Sequence, residues 1–274
     1  MSSPLGDFRN DLKEWFKALE YSFDQLDTEY NDYFNFIIKI PERRRTINVL
    51  IYGLVSEVKV NHVKEMEELI EYHECTEGWI VTNSKVSKAA KENAESKNEK
   101  NVFCYNFDEL IEETIDLSSY FKWVEKEIYK KEIDKRYIPL ACEKVELHPR
   151  TKKYEARNIY NGEDGWLEGY IDFWQKDHQK EHISILGEFG TGKSWFCLKY
   201  TWEMIKQYQE AKLKNLPRPR IPILIFLREY SKALKVDTLI SDFFFRVHKI
   251  EIKGVFSAFM QLNRMGKLLL IFDG

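Results

Sequence analysis

The residues best placed to do chemistry are Gly187-Glu188-Phe189-Gly190-Thr191-Gly192-Lys193-Ser194. They fit the spacing G-x-x-x-x-G-K-[ST]. Glycines in such a run permit backbone angles that turn several N–H groups inward, toward phosphate oxygens. A helix that starts where the run ends adds the positive end of its dipole. Lys193 then offers a point charge to the β and γ phosphates, and the Ser194 hydroxyl is a ligand for Mg²⁺. Further along, Leu268-Leu269-Leu270-Ile271-Phe272-Asp273 reads as an apolar strand ending in a carboxylate. That form holds the Mg²⁺ shell at the C-terminal edge of a sheet. The pattern predicts a nucleotide bound by Gly187 to Ser194. It assigns metal ligation to Ser194 and Asp273, and action on the phosphates to Lys193 and Asp273. The motif itself does not choose between ATP and GTP.

The elements that must position these residues follow from hydrophobic periodicity. Apolar runs predict strands at His182 to Leu186, Ile221 to Leu227 and Leu268 to Phe272. Continuous apolar character marks strands buried on both faces, hence a parallel sheet with helices on each side. Helices are expected at Tyr170 to Asp177, Lys193 to Gln209, Val236 to His248 and Val255 to Met265. Gly274 comes before the further strands such a sheet needs, so the expectation is a piece of a longer protein.

Upstream, the first residues read as an amphipathic helix with Phe8, Leu12, Trp15, Phe16 and Leu19 on one face. Strands are expected at Tyr33 to Ile40, Ile47 to Val55, Gly78 to Thr82 and Val102 to Tyr105. Helices are expected at Val60 to Tyr72, from a Ser84 cap to about Ser96, from Phe107 to Ile115 and from Ser118 to Lys135. A further strand is expected at Tyr137 to Cys142. The division is an α/β domain over 1–118, a helix and linker over 119–170, and a second α/β domain over 171–274.

Composition fits a soluble globular chain, with 274 residues, 43% hydrophobic and 32% charged. A net charge of −3 gives no bulk attraction to nucleic acid. No apolar run approaches the roughly 18 residues of a membrane span, and no signal peptide is evident, so a cytoplasmic protein is expected. Cys75, Cys104, Cys142 and Cys197 lack ligand spacing and read as free thiols. The six histidines show no metal pattern. Trp15, Trp123, Trp195 and Trp202 fall on apolar helical stripes and are expected in the core. Lys85, Lys88, Lys91, Lys97 and Lys100 with Arg43 to Arg45 could form a basic face, diluted by Glu92, Glu95 and Glu99.

Three stretches together, GEFGTGKSWF, IPILIFLREY and GKLLLIFDG, resemble a NACHT-type module of the STAND class of P-loop NTPases. Arg228 falls in the LRxY pattern seen after the second strand in bacterial members. Ile47 to Leu110, above all Gly78 to Asn83 with Ser87 to Ala90, resembles the Mrr-like restriction endonuclease fold. Active members of that fold need an acidic residue on one strand and Glu/Gln-x-Lys on the next. Here the second motif falls at Leu50-Ile51-Tyr52, and the acidic position falls near Asp32 to Asn35. Glu57-Val58-Lys59 spells E-x-K beyond the expected strand end. The pairing is similar to inactive endonuclease domains fused to bacterial NACHT modules. The resemblance implies an ATP- and Mg²⁺-dependent antiviral switch that oligomerises on sensing a foreign nucleic acid or a protein. A Mg²⁺-dependent nuclease using Asp32 or Glu57 with Lys59 is the alternative, and a nucleic-acid-binding module is the third reading.

Overall fold

The computed structural model describes residues 3–42, 45–96, 101–147, 154–177, 181–230, 235–250 and 254–274. The chain divides into two units. The first is Met1–Ser119 with Ala233–Lys267, and the second is Tyr120–Lys232 with Leu268–Gly274.

The first unit opens with α1 (Pro4–Ala18). Ser3 caps it by accepting from the Gly6 amide at 3.0 Å, and Pro4 supplies a pre-set φ at the first turn. Strands β1 (Ser22–Glu29), β2 (Tyr33–Pro41) and β3 (Thr46–Leu54) form an antiparallel meander. After α2 (Val60–Tyr72), β4 (Glu77–Thr82) joins β3 in parallel. After α3 (Lys88–Ser96), β5 (Val102–Asn106) joins β4 in parallel and leads into α4 (Phe107–Thr114). The sheet order is β1-β2-β3-β4-β5.

Both faces of the sheet are covered. On one, Phe8 of α1 meets Phe34 of β2 at 5.9 Å and Phe107 of α4 at 5.8 Å, and Phe16 meets Phe36 at 6.1 Å. On the other, Leu50, Tyr52 and Ile80 bury against Val63 and Met66 of α2 and Ala90 of α3. Register partners project to the same face, so the Phe34 ring lies over its partner Gly53.

Several expectations need correction here. Strand β1 was not expected from the sequence, because Ser22–Glu29 is rich in Asp, Gln and Thr. It is an edge strand, where polar residues are favoured, and its Asp27 is held by Arg9 and Lys13 of α1. The α3 cap is Ser87, which accepts from the Ala90 amide at 3.2 Å. Ser84 sits in the preceding turn, donating its amide to Thr82 Oγ1 at 3.0 Å.

The segment after 233 also departs from the expected division. Helix α9 (Val236–Ser241) runs into a π-helical turn at Asp242–Val247, and α10 (Val255–Arg264) follows. These pack within the first unit. Gly254 makes that approach feasible: its φ is +59°, and a Cβ there would stand 2.4 Å from the Ala18 carbonyl. Ser119 Oγ donates to the His248 carbonyl at 2.7 Å, and Lys267 pairs with Asp108 at 2.6 Å.

His248 is buried, and desolvation pushes its imidazole from 6.5 down to about 4. The unfolded chain therefore binds more protons than the folded one between those two values. Stability falls as pH drops through that window. Urea midpoints at pH 7 and pH 5 should show a loss on the order of 2 kcal/mol that is absent in His248→Gln.

The second unit contains α5 (Ser118–Lys130) from Tyr120 onward and the short α6 (Ile133–Arg136). It continues with a hairpin of β6 (Cys142–Leu147) and β7 (Tyr154–Tyr160), and with α7 (Trp166–Gln175). Helix α8 (Lys193–Leu213) precedes β8 (Ile221–Phe226), which pairs in parallel with β9 (Leu268–Asp273). Glu132 at φ +52° separates α5 from α6, where a single helix to Lys135 was expected. The strand expected at Tyr137 to Cys142 begins only at Cys142, and the expected linker contains the hairpin and α7. The three-strand parallel sheet is reduced to β8 and β9 among the described residues. Among the described residues His182 to Leu186 makes no ladder, and Leu186 is exposed. Buried Tyr120 instead serves the outer side of β8, its hydroxyl accepting from the Leu224 amide at 2.8 Å. Leu224 and Leu269 bury against Phe196, Leu198 and Met204 of α8 and Leu167 and Ile171 of α7.

Among the tryptophans, Trp15 is fully buried, while Trp123, Trp195 and Trp202 are half-buried. Trp202 is covered by the ammonium groups of Lys199 and Lys206, at 4.7 and 3.8 Å from its ring. All four cysteines are free; burial pushes Cys104 and Cys197 up to about 12, which makes them poor nucleophiles. No described helix is long and apolar enough to cross a membrane.

Candidate functional site

Helix α8 opens on the glycine run. Gly190 and Gly192 have φ of +83° and +91°, conformations that side-chain-bearing residues rarely adopt. Gly192 is the N-cap of α8, and Lys193 is the first helical residue. The free amides and dipole of a 21-residue helix therefore face the loop. A Cβ on Gly187 would stand 3.1 Å from Thr191 Oγ1 and 3.6 Å from Lys193 Nζ, so the loop closes tightly on itself.

Lys193 is folded into this loop. Its Nζ donates to the carbonyls of Gly187 and Glu188, both at 2.7 Å, and to Thr191 Oγ1 at 3.2 Å. Thr191 Oγ1 donates to the Glu188 carbonyl at 2.9 Å. Ser194 Oγ donates to Asp273 Oδ1 at 3.0 Å, across 79 residues of sequence. Strand β9 delivers that carboxylate, which is buried. The eight loop residues and Asp273 expected to work together are thus brought together, although Phe189 points fully into solvent.

A cavity of about 690 Å³ adjoins the loop, and its lining includes Gly190 to Ser194, Asp273 and Arg228. Tyr137, Ile138 and Leu140 add apolar lining that sequence reasoning missed. The Tyr137 hydroxyl donates to Glu168 Oε1 at 2.5 Å, which fixes its ring. Nothing in local spacing marks these residues. They belong to a segment without regular structure, brought here by the fold of α6 and β6.

The geometry of the candidate nuclease residues is different. Leu50, Ile51 and Tyr52 lie buried in β3. Asn35, on β2, is the register partner of Tyr52, and its buried Oδ1 has no hydrogen-bond partner among the described residues. The rings of Tyr30, Tyr33 and Tyr52 stack in succession at 4.5 Å, and Tyr52 donates to Glu65 Oε2 at 3.2 Å. Asp32 is exposed in the turn before β2. Glu57 and Lys59 lie past the end of β3. Glu57 faces Lys85 at 3.5 Å, and Lys59 is the N-cap of α2. Among the described residues, no three His, Cys, Asp or Glu side chains could hold one metal ion.

Residues 8–112 match the family model NACHT-associated inactive Restriction Endonuclease 1. The first unit's sheet is therefore restriction-endonuclease-like. Asn35 and Tyr52 stand as register partners on β2 and β3 of this inactive-endonuclease-like domain. Over 263 residues the chain is 42% identical to an uncharacterized WD repeat-containing protein of Nostoc sp. (strain PCC 7120), covering 96% of this chain. It spans 17% of that relative's length. Among solved structures it is similar to MspJI restriction endonuclease in complex with a 27-mer oligonucleotide. That match has 13% identity, 37% of this chain and 24% of the other covered, and a TM-score of 0.27. It is also similar to the DNA modification-dependent restriction endonuclease AspBHI, at 15% identity, 35% and 27% coverage and a TM-score of 0.25.

The candidate basic face is neutralised where it is described. Lys85 faces Glu57, Lys88 faces Glu92 at 3.6 Å, and Lys91 faces Glu109 at 3.0 Å. Arg43, Arg44, Lys97 and Lys100 lie outside the described residues.

Proposed function

We propose that Gly187 to Ser194 and Asp273 bind a nucleotide with Mg²⁺, and that the chain is the sensing and nucleotide-binding part of a STAND/NACHT-type switch. The observation that supports this best is the hydrogen bond from Ser194 Oγ to Asp273 Oδ1 at 3.0 Å. It puts a hydroxyl and a carboxylate oxygen at one point beside the phosphate cradle. Hard divalent cations take such oxygen ligands. The residues therefore fit Mg²⁺, with Ser194 and Asp273 as its holders. Bound there, the ion would neutralise charge on the β and γ phosphates.

The rest of the site binds and orients. Loop amides and the α8 dipole take the phosphate oxygens, and Lys193 turns from the loop carbonyls to the phosphates. The apolar lining of Tyr137, Ile138 and Leu140 suits a base, and ATP is the proposed nucleotide by analogy with the NACHT family. In this reading, the endonuclease-like unit works as a cytoplasmic sensing module for a foreign nucleic acid or a protein trigger in antiviral defence. Nucleotide exchange alters its packing and drives homo-oligomerisation.

Calorimetric titration with ATP, with and without Mg²⁺, tests the site. In the wild type, Mg²⁺ should tighten binding by roughly tenfold or more. In Asp273→Ala that gain should vanish while Mg²⁺-free binding persists. A Mg²⁺ gain equal in both proteins removes Asp273 from the site.

A further inference from the structure

The face of the first sheet that packs on α2 carries a row of rings that ends in solvent. Tyr30 and Tyr33 close the turn between β1 and β2, the Tyr30 amide donating to the Tyr33 carbonyl at 2.8 Å. Their rings stack at 4.5 Å, and Tyr33 stacks on Tyr52 of β3 at 4.5 Å with 8° between the planes. Tyr52 is buried, Tyr33 is half-buried and Tyr30 is 47% exposed. One side of the Tyr30 ring is taken by Tyr33, so the exposed area belongs to its other side. The row is held from behind. Tyr52 donates to Glu65 Oε2 at 3.2 Å, and its ring lies 6.2 Å from that of His62.

The groups along this row offer acceptors and negative charge. Asp32 is exposed in the turn between Tyr30 and Tyr33. Burial first, then the Glu65 carboxylate and last the Asp32 charge hold the Tyr52 hydroxyl well above the usual phenol range, so both carboxylates are felt at the row. Asn35, the register partner of Tyr52, projects to the same face. It is 3% exposed, and its Oδ1 has no donor among the described residues. Cations at this end of the sheet serve the opposite face. Arg9 and Lys13 pair with Asp27, and Arg9 also with Glu29, whose register partners Phe36 and Phe34 pack on α1. Lys59 stands at the inner end of the row, its amide donating to His62 Nδ1 at 3.1 Å.

An open ring face flanked by carboxylates selects a ligand by charge. A phosphate backbone would meet Asp32 and Glu65 as like charges. A guanidinium gains twice, because its plane lies on the ring while its N–H groups reach a carboxylate. We propose that the open face of Tyr30 is a docking site for an arginine side chain of a protein partner, with the guanidinium flat on the ring and donating to Asp32. The proposal rests on the reading of the first unit as a sensing module, and it selects a protein trigger over a nucleic acid.

The test follows the Tyr30 and Tyr33 ring signals by NMR on the full chain labelled at tyrosine, each signal assigned by a single Tyr→Phe substitution. Three probes are titrated: N-acetyl-arginine amide, its neutral isostere N-acetyl-citrulline amide, and an oligothymidylate. The arginine probe should give a saturable shift at roughly millimolar concentration, and the citrulline probe should bind about fivefold more weakly. The oligothymidylate should move neither signal. Read at Tyr33, Tyr30→Ala should weaken the arginine probe about fivefold, and Tyr30→Phe, which keeps the ring face, should stay within about twofold of wild type. Asp32→Asn, a mild change in an exposed turn, should weaken it about threefold. Equal binding of arginine and citrulline probes, a response to the oligothymidylate alone, or no response at all overturns the proposal. ATP titration of the same samples keeps the two readings apart. Binding of ATP without an arginine response removes the docking site and leaves the switch, and the reverse removes the switch and leaves the docking site.

Discussion

Lys193→Ala should remove nucleotide binding, lowering affinity for ATP with Mg²⁺ on the order of a hundredfold or more. Two losses combine. The first is the charge offered to the β and γ phosphates, which charge-assisted hydrogen bonds make worth more than a neutral contact. The second is local. Lys193 Nζ bonds the carbonyls of Gly187 and Glu188 and the hydroxyl of Thr191, so it braces the loop as well as charging it. Lys193→Arg separates the two losses. It keeps the positive charge, but a larger planar group cannot occupy the same narrow turn, so intermediate affinity is expected. Because the α8 residues beneath the loop, such as Phe196 and Leu198, are buried independently of Lys193, the alanine variant should melt like the wild type. Calorimetry showing unchanged affinity in a folded Lys193→Ala protein would sink the phosphate-cradle assignment.

The largest effect on stability should come from Gly53→Ala. A Cβ at this position would stand 2.0, 2.2 and 2.7 Å from three atoms of the Phe34 ring. The ring has nowhere to go. It is fully buried, meets Phe8 of α1 at 5.9 Å and stacks on Phe36 at 5.9 Å. Overpacking of this kind costs about 3 kcal/mol when neighbours are fixed. The urea midpoint of the first unit should fall accordingly, and Phe34→Leu in the Gly53→Ala background should return part of the loss. If Gly53→Ala alone leaves the midpoint unchanged, Phe34 is not packed over the strand as described. The substitution also reports on the sheet that carries the endonuclease likeness, since β2 and β3 lie within residues 8–112.

Much of this protein can be read from the chain because its signals are local. The glycine run of 187–194 predicts a tight loop, which Gly190 and Gly192 form at positive φ, and the helix behind it starts at Lys193 as its spacing predicts. Apolar periodicity located α1, α2, α8 and the buried strands β2 to β5, β8 and β9, because hydrophobic residues at fixed intervals need one face in a core. Leu50-Ile51-Tyr52 could be set aside as a metal motif from residue type alone.

Other features depend on partners distant in sequence. Strand β1 has weak strand character of its own and exists because β2 offers an edge and α1 offers Arg9 and Lys13 to Asp27. His182 to Leu186 has the apolar content of a strand, yet among the described residues it joins no ladder and Leu186 is exposed. Helices α9 and α10 lie late in the chain but pack in the first unit, through the close approach that Gly254 permits at Ala18. The same distinction holds at the site. Sequence offered Lys193 and Ser194 as candidates through one motif's spacing, and Asp273 separately through the end of an apolar strand. Only the tertiary structure put Ser194 Oγ against Asp273 Oδ1. That contact is set by strand register and core packing, which no local spacing encodes.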